Sequence, residues 1–204
     1  MNAQKFTQKS LEAIQEAQNI ATDYSHMQIE QQHLLCALAS QADGLIGQMF
    51  KKMGADPAAV AEAARDEVKR LPRVSGPGRE QGKIYVTHEV DQALVQAEKL
   101  ADRMKDEYVS VEHIMLALLE MPNEPLKRLF AQFNLTKDAF LSALMSVRGN
   151  TRVTSDTPED TYDALKKYGS DLVEQARAQK LDPVIGRDSE IRNVIRILSR
   201  KTKN

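Results

Sequence analysis

The sequence predicts an all-α protein: duplicated four-helix repeats packed as a pseudo-twofold eight-helix domain, followed by a linker and two further helices. Three observations carry this. Ala, Leu, Glu, Gln, Lys and Met dominate the 204 residues, against nine glycines, seven prolines and no tryptophan, a composition that favours helix over sheet. Displaced by 80 places, residues 6–70 align with residues 86–150 without a gap, matching Ala13 to Ala93, Ala17 to Ala97, Ala21 to Ala101, His33 to His113, Leu38 to Leu118 and Phe50 to Phe130. The third observation is that helix-capping residues recur along with the apolar ones.

In the first copy, Thr7 suits an N-cap, and Phe6 and Leu11 stand at the positions of a hydrophobic staple. Leu11, Ile14, Ala17, Ala21 and Tyr24 then recur every three or four residues, one apolar stripe on a helix running to about Thr22. A more apolar helix follows over 31–40, carrying Leu34, Leu35 and Leu38. A third covers 45–53 and ends at Gly54, and Asp56 with Pro57 opens a fourth that finishes before Pro72. In the second copy Thr87 and Ser110 serve as caps, Pro122 stops the second helix, Thr136 caps the fourth and Gly149 lies just past its end. Residues 73–83 have turn chemistry and read as an exposed linker. One copy of about 65 residues buries a marginal core, so the copies are expected to pack together and to leave a groove at their seam.

The domain is placed at residues 1–149. Residues 150–161 are turn-rich with one aliphatic side chain and read as a flexible tether. Residues 162–204 then hold an amphipathic helix with Ala164, Leu165, Tyr168, Leu172 and Ala176, and a second with Ile191, Val194, Ile195 and Leu198, which Asp188 can cap. Neither has a repeat partner, and both read as the start of a larger module.

Charge and cysteine content narrow the function classes. With 28 basic and 29 acidic side chains, there is no broad basic footprint for nucleic acid or acidic membranes. The longest apolar runs, 34–39 and 114–119, fall far short of the roughly 20 residues that cross a bilayer. Cys36 is the single cysteine and the amino terminus resembles no secretion signal, which together suggest a cytoplasmic protein.

Catalytic motifs are missing from the sequence. The nearest approach to a phosphate-binding loop, from Gly78 to Ile84, has three residues between its glycines and no hydroxyl where magnesium would bind. His33 and Cys36 share a helix face, but two ligands do not make a zinc site and the second copy has Leu116 for the cysteine, so packing is the better account. The basic residues from Arg192 to Lys203 suit the end of a helix dipole better than a nucleic-acid contact. Asp106 and Glu112 either stabilise a helix dipole or rim a groove that accepts polypeptide, and spacing leaves both open. Val90, Leu94 and Tyr108 are candidates for the apolar seam, each equally suited to a buried core position.

These residues carry a resemblance. The segments IEQQHLLCAL (residues 29–38) and VSVEHIMLAL (residues 109–118) resemble the paired Clp amino-terminal repeats. ALKKYGSDL (residues 164–172) and KLDPVIGRDSEI (residues 180–191) resemble the entrance to the first AAA+ module of ClpB-type disaggregases in the Clp/Hsp100 family. The resemblance implies a mobile amino-terminal domain that captures unfolded or aggregated polypeptide and passes it to an ATP-driven homohexameric ring working with the DnaK system. ATP and magnesium belong to the full-length parent, with no cofactor, no catalysis and a monomeric state for these 204 residues. It matches Thr7, Asp106 and Glu112 to positions associated with chaperone function, and Val184, Ile185, Gly186 and Arg187 to a segment near the adenine of bound nucleotide. The alternative within the family is an adaptor-docking domain of ClpA or ClpC type, recognising one folded partner.

Overall fold

The computed structural model describes residues 3–41, 44–74, 84–149, 151–158, 172–181 and 185–200. The chain divides into two units, Met1–Asp163 and Ala164–Asn204. In the first unit, helices α1 (Gln8–Asp23), α2 (Gln31–Ser40), α3 (Leu45–Lys52) and α4 (Pro57–Lys69) form one repeat. Helices α5 (His88–Met104), α6 (Val111–Glu120), α7 (Glu124–Gln132) and α8 (Lys137–Arg148) form the other.

Local chemistry sets the helix ends. Thr7 Oγ1 accepts from Ser10 N at 3.3 Å, Asp56 from Ala58 N at 3.2 Å and Thr136 from Ala139 N at 3.3 Å, each satisfying a donor with no partner inside its helix. Gly54 and Gly149 follow α3 and α8 with φ of +81° and +58°, the left-handed region that spares them a Cβ clash. Thr87 departs from the expectation. Its hydroxyl leaves the helix uncapped and donates instead to the Ile29 carbonyl at 3.0 Å.

Ala13, Ala17 and Ala21 line the buried stripe of α1, small enough for close approach to α2. Residues 31–39 of α2 and 111–118 of α6 are buried all round, as expected of helices at the centre of a domain. These two pack on each other near the pseudo-dyad, α3 contacts α8, and the matching pair of α7 and α4 repeats that contact.

Neither repeat closes alone. Two short parallel strands, β1 (Gln28–Ile29) and β2 (Tyr85–Val86), join the loop of one copy to the entry segment of the other. The bridge between Phe6 and Val109 is the same contact 80 places on. Thr7 N donates to Val109 O at 3.0 Å, and Thr87 N to Ile29 O at 3.2 Å. One apolar core therefore runs through both copies, including Leu34, Leu35, Ile114, Met115, Val90 and Leu94.

The tether expected over 150–161 begins as a docked strap. Val153 is wholly enclosed, its carbonyl accepts from Glu107 N at 2.9 Å, and the Asp156 carbonyl accepts from Gln8 N at 2.9 Å. The sequence made this stretch look free because its anchors are mostly backbone groups, with one valine and the Asp156 carboxylate, which accepts from Gln8 Nε2 at 3.2 Å. In the second unit, α9 (Leu172–Arg177) and α10 (Asp188–Leu198) are described by themselves. Asp188 is the first residue of α10 rather than its cap, which is Arg187 without a side-chain bond. Residues 75–83 of the linker expected over 73–83, the start of the amphipathic helix at Ala164 and the candidate Val184 lie outside the described residues.

Candidate functional site

The second repeat holds an enclosed charged cluster. Asp106 follows the left-handed turn that ends α5, and its carboxylate collects three donors. Oδ2 accepts from His113 Nε2 at 3.0 Å, and Oδ1 accepts from Val153 N at 2.9 Å and from Arg148 Nη2. His113 is fixed from its other side, since Nδ1 accepts the Ser110 N–H at 3.0 Å as the third residue of a capping box. Its proton therefore sits on Nε2, pointing at Asp106. Arg148 sends Nε to the Thr151 carbonyl and stands with Nη1 3.6 Å from Glu112 Oε1. Burial pushes the Asp106 carboxyl up, but the bonds from His113, Arg148 and the Val153 N–H outweigh it and hold the group below its ordinary value.

The first repeat puts different chemistry in the matching places. His26 replaces Asp106, Gln32 replaces Glu112 and Val68 replaces Arg148. His33 Nδ1 accepts the Glu30 N–H at 2.9 Å, so its Nε2–H donates to His26 Nδ1 at 2.8 Å. Burial, then the neighbouring His26, lower the His33 pKa to about 4. Both His33 nitrogens are thus engaged within the fold, which accounts for a histidine beside the buried Cys36 without a metal. Among the described residues no cluster of three ligating side chains is placed to hold one.

The candidates from sequence fall into two groups. Thr7, Val90, Leu94, Asp106 and Glu112 are all buried, with Thr7 and Glu112 at 0% exposure. Asp106 and Glu112 face Arg148 inside the domain instead of rimming an open groove. Tyr108 alone of the six is partly exposed. The accessible apolar side chains of the first unit include Tyr85 at 60%, Val86 at 49% and Met121 at 40%. Tyr85 and Val86 form the strand that crosses the seam, and Met121 takes its carbonyl bond from Gln31 of the other repeat at 2.9 Å. In the second unit Ile185, Gly186 and Arg187 are exposed, and Arg187 pairs with Glu190 at 3.3 Å.

Sequence reasoning missed Arg148, His113 and Val153 as members of the cluster. One signal was available: the repeat aligns Arg148 with Val68, a charge where the sister helix carries an aliphatic core residue.

Two interlocked four-helix repeats around a common core define a Clp-type amino-terminal domain. Residues 5–133 match the model of the Clp repeat (R) N-terminal domain, and the chain belongs to that family. Over its whole length it is 52% identical to the chaperone protein ClpB of Nitratidesulfovibrio vulgaris and 50% identical to that of Bacillus cereus. It spans 24% and 23% of those relatives, about a quarter of their length. The fold is shared with the Hsp104 N-terminal domain of Candida albicans, with TM-score 0.66 and 23% identity over 76% of this chain and 99% of that one. Among the described residues no helix is long and apolar enough to cross a membrane.

Proposed function

We propose that this chain is the substrate-recruiting amino-terminal region of a ClpB-type disaggregase. It captures unfolded or aggregated polypeptide in an apolar groove between the repeats and passes it to a hexameric AAA+ ring, whose ATP and magnesium are held beyond these residues and which works with the DnaK system. The observation that carries the reading is the set of accessible apolar side chains at contacts between the repeats: Tyr85, Val86 and Met121. A surface of this kind, poor in fixed polar readout, selects for hydrophobicity over sequence. Val90 and Leu94 are buried in the core that the repeats share, and Tyr108 lies on a loop joined to the opposite repeat. Thr7, Asp106 and Glu112 serve from within, holding the helix start and the strap in place.

The test is binding of a reduced, permanently unfolded protein. Exposed Tyr85 and Val86 are changed together to Ser, which leaves the core intact. Affinity is expected to fall about tenfold, roughly one buried apolar side chain, with the helical circular-dichroism spectrum unchanged. Equal binding by the variant sinks the groove. Failure of every unfolded chain to bind, with stoichiometric capture of one folded partner, establishes the adaptor-docking alternative instead.

A further inference from the structure

Among the places where the repeats differ, one concerns the segment that follows the fourth helix of each. In the second, Val153 is wholly enclosed in an extended strap, its N–H donating to Asp106 Oδ1 and its carbonyl accepting from Glu107 N, both at 2.9 Å. Stepping back 80 places carries Asp106, Glu107, Tyr108, Ser110 and Thr151 onto His26, Met27, Gln28, Glu30 and Leu71. Those five residues, with Pro72 and Val74, line a cavity of about 230 Å³. The side chain that corresponds to Val153 is Arg73. It is exposed and lies over the Tyr24 ring, 5.7 Å from its centroid, instead of filling the space. Val74 is also turned out, 45% exposed, its N–H tied to the Ser25 carbonyl at 2.9 Å.

From this asymmetry we propose that the cavity beside His26 and Leu71 is a binding site for one aliphatic side chain of an extended polypeptide segment. The inference rests on the capture reading and names a particular subsite for it. Its ligand class comes from the chain itself: at the equivalent place the domain accommodates a β-branched residue in extended backbone, with both backbone groups hydrogen-bonded. A valine side chain fits the volume, and its burial supplies the affinity. The Met27 N–H corresponds to the Glu107 N–H that receives the Val153 carbonyl. His26 lacks the charge of Asp106. Its Nδ1 is taken by His33, and its Nε2 is enclosed beside the Leu71 carbonyl, so neither ring nitrogen is presented to a ligand. The lining is mostly apolar, with Glu30 as its one carboxyl group, and suits aliphatic segments rather than acidic ones.

The probe is a peptide with the sequence of residues 151–156, titrated into the whole 204-residue chain and followed by backbone chemical shifts. Shifts are expected at Met27, Gln28, Leu71 and Val74. The same peptide carrying Val153→Asp is expected to bind about tenfold more weakly, the factor for losing roughly one buried aliphatic group. Val74→Trp, at an exposed position, is expected to cover the cavity and weaken the peptide similarly, with an unchanged unfolding midpoint. Shifts confined to other surfaces, or equal binding of the two peptides, overturn the proposal. If Val74→Trp and the native chain bind a reduced unfolded protein equally well and the peptide maps elsewhere, the subsite fails while capture stands. If the peptide occupies the cavity but no unfolded protein binds, the capture reading fails and the site stands.

Discussion

Replacing Asp106 by Asn removes one charge from an enclosed cluster and keeps its shape. The carboxylate now accepts three hydrogen bonds, from His113, Arg148 and the Val153 N–H. An asparagine offers one acceptor oxygen and one amide donor, so at least one of those buried donors meets an N–H instead of an oxygen. An unmade buried hydrogen bond costs about 1–3 kcal/mol, and breaking a buried ion pair about 3–5 kcal/mol. Here Glu112 still stands 3.6 Å from Arg148 and keeps that guanidinium partly compensated, which places the total at about 3 kcal/mol. For a domain of this size the loss lowers the midpoint of thermal unfolding by roughly 6–12 °C. Arg148→Met is expected to cost more, because it leaves both Asp106 and Glu112 buried without a cation. Urea titration of each variant, followed by far-ultraviolet circular dichroism, measures both. An Asp106→Asn cost within about 1 kcal/mol of zero, or an Arg148→Met cost below that of Asp106→Asn, refutes the account of the cluster.

Other expectations follow from the same geometry. His33, held at about 4 against an ordinary 6.5, stays neutral in the fold and takes up its proton more readily once unfolded. Stability is then complete above pH 6.5 and falls as pH drops toward 4, by about 3 kcal/mol in all. Asp106, held below its ordinary 3.8, adds its own loss only beneath that value. His33→Gln should flatten the upper part of this profile, and an unaltered pH profile would contradict the assignment. Gln31 joins the repeats by donating to Met121 O at 2.9 Å and accepting from Asn123 N at 2.8 Å. Gln31→Ala strands both backbone groups and should cost about 2 kcal/mol in the urea titration. Val153→Ala removes the strap's enclosed side chain, and amide hydrogen exchange at Glu107 and Gln8 should quicken while exchange in α2 and α6 is unchanged.

Much of the fold is legible in the residues because its signals are local. Thr7, Asp56, Gly54 and Gly149 act within a few residues of themselves, and the apolar stripes of α1 and α5 recur at helical spacing whatever surrounds them. The duplication was legible for a related reason, since both copies meet the same packing demands at Ala13 and Ala93 or Leu38 and Leu118. What could not be read was whatever depended on the other repeat. Thr87 looks like a cap, yet its hydroxyl finds Ile29 across the seam. Strands of two residues carry no periodicity, so the pairing of Val86 with Ile29 is invisible until the copies interlock. Val90 and Leu94 are apolar in either a groove or a core, and only packing shows that they lie inside.

By itself, the sequence determined the helices, their boundaries and the doubling, because hydrogen-bonded turns, caps and apolar periodicity act over a handful of residues. Tertiary structure alone decided that Asp106 and Glu112 are enclosed with Arg148, that Val153 is pinned beside them, and that among the described residues the equivalent place near His26 is a cavity. Burial and charge pairing depend on which distant side chains arrive together, and no spacing along the chain encodes that arrival.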